Sequence, residues 1–242
     1  MAINSFARSG LSRVTLPPNA DFSNTATGTF TDAGINYKFV TFNTSGTLTV
    51  TAAGVADVFV LAGGGGANAT GGGAGGLLLM SLNFDVATYT VTVGAGGAGT
   101  GVNGSNSAIH IALNRSLVAL GGGGGEIAWN NGKAGGCGGG AANTVGGEAL
   151  SNQGYRGGQD QVGQYSGGGG QGSVGGAVNG GAGIQSTFTG SSVNRGAGGR
   201  SAGTGSLSGT HWTGVANSGD GGSWNIASGN GYSGVVIVRV KV

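Results

Sequence analysis

Hydrophobic and polar positions alternate with a period of two over several short stretches of this chain. In "TYTVTVG", residues 88–94, Tyr89, Val91 and Val93 fall on one face and Thr88, Thr90 and Thr92 on the other, as in a half-buried strand. The closing stretch "GYSGVVIVRVKV" places Val236, Val238 and Val240 on one side and Ile237, Arg239 and Lys241 on the other. "VADVFVLAG" is different: Val55, Val58 and Val60 have Phe59 and Leu61 among them, which suits a strand buried on both faces. "GTFTDAGINYKFVTFN" and "GTLTVTA" are rich in Thr, Val, Phe and Tyr and bounded by turn residues, so they read as strands too. "SAIHIALNRSLVALGG" reads as a hairpin turning at Asn114-Arg115. Short alternation and β-branched residues make the helical reading weaker there. Residues 1–24 are polar and irregular, with "LPPNADF" breaking any regular element. The pattern predicts an all-β fold. A lone strand is not stable, so the C-terminal strand needs a partner, expected in "VADVFVLAG".

Glycine changes this picture. It supplies 61 of 242 residues, only 5 of them in the first 60 and 41 after residue 120. Such content alone points to low complexity. Only 7% of residues are charged, however, and 38% are hydrophobic, which is unlike a chain kept open by charge. With 2 prolines and no Gly-X-Y period, collagen is excluded. Ordering glycine costs about 1–2 kcal/mol of backbone entropy per residue. A bundle of polyproline-II-type helices offers a way to recover it. That helix has three residues per turn, a rise of about 3.1 Å and no internal hydrogen bonds, so glycine helices can pack closely and bond to one another. Glycine runs at 63–66, 121–125 and 167–170 suit it, with Ala, Ser and Asn small enough for bundle edges.

Charge and chemistry-bearing motifs subtract more than they add. The net charge is +2 and the 10 basic residues are scattered, so no basic stripe argues for nucleic acid. No apolar stretch approaches a membrane span, and "MAINSFARSGLSRV" lacks the apolar core of a secretory signal. Cys137 is the one cysteine, which leaves no intrachain disulfide or cysteine-built metal site; it reads as a small residue among glycines. GxGxxG-like spacings such as "GAGGAG" are expected by chance in so glycine-rich a chain. "NNGKAGG" lacks the Ser/Thr of a P-loop, and His110 and His211 lie a hundred residues apart. Asp160 and Asp220 could flank a glycosidic bond, with nothing else in support. No cofactor, metal or catalytic activity is expected.

The stretches "GTLTV", "VADVFVLAGGGG", "GGGAGG", "YTVTVGAGGAGTGVNGSNSAI", "LVALGGGGG" and "GYSGVVIVRVKV", in this order, resemble the glycine-rich domain of bacteriophage tail fibre and distal-tip adhesin proteins, over about residues 38 to 242. The resemblance implies a β-sandwich-like scaffold closed by the C-terminal strand, with a packed set of polyglycine-II helices. It implies loops between glycine segments that contact a bacterial receptor. It further implies a virion protein of the tail or fibre tip, made in the host cytoplasm, with a homotrimer or a single copy on a trimeric fibre as its assembly. The expected organisation is an attachment arm at 1–37 that meets other virion proteins, a β-rich portion at 38–120, a glycine-rich bundle with receptor-facing loops at 121–232, and a returning strand at 233–242.

Five non-glycine inserts would carry specificity: 126–131, 151–166, 184–195, 206–217 and 223–230. They hold Trp129, Trp212 and Trp224, with Tyr155, Tyr165, Phe188 and His211. Aromatic faces among polar groups suit sugars or outer-membrane protein loops. The longest polar insert adds Arg156, Gln159, Asp160, Gln161 and Gln164. These residues are expected to bind a host glycan or outer-membrane protein, with no nucleic acid and no membrane insertion. Each tryptophan could instead cap the glycine bundle. Two rival functions stay open: a structural virion component whose loops contact neighbouring subunits, and a depolymerase of surface glycan.

Overall fold

The structure, a computed structural model, describes residues 17–112, 115–127, 129–159, 165–202, 214–224 and 229–242. The strands are β1 (Asp21–Phe22), β2 (Gly28–Asp32), β3 (Ile35–Phe42), β4 (Gly46–Ala52), β5 (Gly54–Leu61), β6 (Leu77–Phe84), β7 (Ala87–Thr92), β8 (Ser107–Ala112), β9 (Arg115–Ala119), β10 (Ile184–Ser186), β11 (Val193–Arg195) and β12 (Val235–Lys241). They form two five-stranded antiparallel sheets, β1-β4-β7-β8-β9 and β2-β3-β12-β5-β6, and the hairpin β10–β11. The protein is all-β and sandwich-like.

Alternation builds the core. Tyr89 and Val91 of β7 are buried while Thr88 and Thr90 are exposed. Leu48, Val50 and Ile109 from the same sheet meet Val58, Val60, Val236, Val238 and Val240 from the other. Each such side chain contributes about 1.5–3 kcal/mol through burial. The closing strand β12 pairs with β5, as its pattern requires, with Val238 opposite Val58. It also pairs with β3 on its other side, with Val238 opposite Val40. Phe59 and Leu61 of β5 join Val235, Ile237 and Phe188 in a second cluster on the outer face, so β5 is covered on both sides. The β8–β9 hairpin is present; Arg115, expected in its turn, is instead the first residue of β9, and Asn114 lies outside the described residues.

Three boundaries differ from the sequence reading. The segment assigned as an arm, 1–37, contains strands of both sheets. Val55 N–H donates to the Pro18 carbonyl at 2.8 Å and Ala20 N–H to the Val55 carbonyl at 3.0 Å, so the chain is tied down from residue 18 onward. The glycine layer does not start at 121, since the runs 63–66 and 71–76 are part of it. The insert 184–195 is the β10–β11 hairpin, not a loop facing outward.

Glycine segments leave the sandwich where β5, β7 and β9 end and return where β6, β8 and β12 begin. Each sends its amides to its neighbours in a repeat of three. Gly63 and Gly66 donate to Ser105 and Val102, Gly64 and Ala67 to Tyr232 and Gly229, and Gly65 to Gly73, at 2.7–3.1 Å. Gly71 and Ala74 donate to Ser166 and Gly169, Gly72 and Gly75 to Gly222 and Gly219, and Gly73 and Gly76 to Gly123 and Leu120. Amides three residues apart thus turn to the same neighbouring segment, and the bonds run between segments. Short polar side chains stand in where a neighbouring carbonyl is lacking. Asn106 and Asn103 accept from Gly121 and Gly124; Asp220 and Ser223 accept from Ala197 and Arg200.

Candidate binding surface at the loop end

The glycine segments turn at the end away from the sandwich. The insert 126–131, the end of 151–166 at Tyr165 and the start of 223–230 at Trp224 lie there, whereas Gln153 and Asn217 are bonded at the sandwich side. A chain of backbone contacts connects the first three. Trp129 N–H donates to the Ala142 carbonyl at 3.1 Å, Ala142 bridges to Tyr165, and Ser201 Oγ donates to the Tyr165 carbonyl at 2.6 Å. Next to Ser201, the Arg200 carbonyl accepts from Trp224 N–H at 3.0 Å. Residues from five separate inserts and segments thus share one end of the molecule.

Trp129 is 76% exposed and has a backbone φ of 66°. A bulky residue in that region is an outlier, of the kind that surrounding structure must hold in place. Thr144 Oγ1 donates to the Asn130 carbonyl at 2.6 Å, and Lys133 pairs with Glu126 at 2.8 Å; both brace the loop. Trp224 is 43% exposed and Tyr165 half-buried. Tyr155, 47% exposed, Arg156 and Gln159 present open side chains along the segment that leads to this end. Asp160, Gln161, Gln164, His211 and Trp212 lie outside the described residues.

Phe188 does not belong to this surface. It is 6% exposed, its ring centre 5.6 Å from that of Phe59, with the Arg239 guanidinium 4.3 Å above it. Arg239 is in turn held by Asp57 at 3.1 Å. This aromatic closes the outer face of the sandwich. Asp220 is likewise internal. Burial raises its carboxyl above the ordinary value, against the hydrogen bond from Ala197. Cys137 is buried, and loss of water pushes its thiol up to about 12; Gln171 Nε2 lies 3.3 Å from its sulfur. Both act as packing or hydrogen-bonding elements of the glycine layer.

Two features escaped the sequence reading. Ile127, 48% exposed, adds apolar surface beside Trp129. Arg200 has a buried Nη1 with no hydrogen-bond partner, a shortfall that costs about 1–3 kcal/mol. Neither carried a signal: Arg200 stands in "GAGGR", between inserts. Among the described residues no group of three His, Cys, Asp or Glu is arranged to hold a metal ion.

No curated protein matches the chain. The family model of the glycine-rich domain matches residues 41–241, from the last residues of β3 through β12. A match over most of the chain, on a fold whose glycines bond segment to segment, makes this protein a member of the glycine-rich domain family.

Proposed function

We propose that this protein is a bacteriophage receptor-binding protein, a tail fibre or tail-tip adhesin whose loop end attaches to the host surface without catalysis. The observation that carries this reading is the convergence of Trp129, Tyr165 and Trp224 on one end of a cross-bonded scaffold. Fixed aromatic groups bind without loss of much side-chain freedom, and such residues dominate binding surfaces. Polyglycine-II helices form the scaffold in this proposal, and residues 1–16 join it to the rest of the particle. The receptor is a surface glycan or an outer-membrane protein. Aromatic rings take the apolar face of a sugar or side chain, and the exposed Arg156 supplies donors for its oxygens.

Binding of the labelled protein to a panel of bacterial strains, repeated with isolated lipopolysaccharide and outer-membrane protein fractions, tests this. Saturable binding to a subset of strains is expected. The Trp129→Ala and Trp224→Ala variants should lose about 2 kcal/mol or more of binding each, with melting temperatures unchanged. Binding to no strain, together with a position at the capsid in electron micrographs, would point instead to a structural virion component.

A further inference from the structure

We propose that the edge of β6 beyond Leu77, whose own N–H is taken by the Gln153 carbonyl, pairs with β6 of a second copy, antiparallel about a two-fold axis, to give one continuous sheet. β6 pairs with β5 without irregularity from Leu77 to Phe84, and it is an outermost strand of its sheet. Exposed edges are ordinarily guarded by charge, proline, bulges or brevity. The other three edges follow that rule. β2 ends in Asp32, β9 begins with Arg115, and β1 has two residues. β6, "LLLMSLNF", carries no charge and no proline. It exposes apolar groups on both faces, Leu79 at 61% and Met80 at 45%.

The edge is complementary to itself. With the axis at Met80, Met80 faces its own copy and Leu78 faces Leu82 on the side of the main core. On the outer side Leu79 faces Ser81. A hollow of about 320 Å³ lies there, lined by Asp57, Ser81, Phe188 and Arg239 among others. Leu79 of the second copy enters it beside the small Ser81, and the two-fold repeats the fit. No like charges meet across the pair, which would otherwise oppose it. Partner strands from another kind of protein, or a three-fold arrangement of copies, would not use this self-matched register.

Sedimentation equilibrium of the full chain tests the proposal. A dimer is expected, and Leu79→Lys, which puts a cation next to Arg239 of the second copy, should weaken it about tenfold or more. Circular dichroism of that variant, and its melting temperature at concentrations where both proteins are monomers, should stay as they are, since Leu79 is exposed in the single chain. Met80→Cys should cross-link to a covalent dimer on mild oxidation, Cys137 being buried. A monomer at every concentration, a trimer, a dimer indifferent to Leu79→Lys, or a Met80→Cys protein that does not cross-link would each overturn it.

Discussion

At Gly72 a single methyl group would collide with the Gly65 carbonyl, and the same holds for backbone atoms around most glycines of the layer. Glycine is required here for close approach between segments. Gly72→Ala is therefore expected to destabilise the protein by about 1–3 kcal/mol or more, read from urea unfolding. Trp129 makes the opposite case. Its positive φ suits glycine and strains tryptophan. Trp129→Gly should leave stability unchanged or raise it, while binding to host cells falls. Asp220 shows how a side chain replaces a carbonyl. Asp220→Ala leaves the buried Ala197 N–H without its acceptor, at a cost of about 1–3 kcal/mol. The raised carboxyl also has a pH signature. Folded, it keeps its proton to higher pH than in the unfolded chain. Its contribution to stability is thus greatest below the unfolded value, near 3.8, and declines as pH rises through the folded value. Asp220→Asn should remove that part of the pH dependence, measured by melting at a series of pH values.

Strands of the sandwich were legible wherever one face was buried. β7 and β12 alternate, and their buried valines follow directly from that period. β6 carried no such sign, because four apolar residues in succession, Leu77 to Met80, have no period. It is an edge strand whose exposed groups break the link between apolar character and burial. The β10–β11 hairpin was misread for the converse reason. Its surroundings are polar, and its one deeply buried aromatic, Phe188, looks in sequence like any exposed loop aromatic. Only the tilted ring contact with Phe59 and the Arg239 contact separate the two cases. Phe188→Ala should cost about 3–5 kcal/mol in chemical unfolding and leave the affinity of folded protein for cells untouched. That outcome would distinguish it from Trp129 and Trp224.

At the scale of the molecule, two kinds of order meet. The sandwich is held by apolar burial, and the glycine layer by hydrogen bonds between segments that have few side chains to bury. Glycine runs announced that a layer exists. They did not announce which segment lies beside which, because identical residues carry no pairing code. The positions of Asn103, Asn106, Asp220 and Ser223, three residues apart within each pair, complete the bonding on particular rows. The loops inherit their positions from this layer, so the proposed binding surface depends on its being ordered. Amide hydrogen exchange by NMR at Gly64, Gly72, Gly123 and Gly168 measures that directly. Protection comparable with that of Val238 in β12 is expected. Exchange at the rate of an open chain at these four glycines, with Val238 still protected, would contradict it.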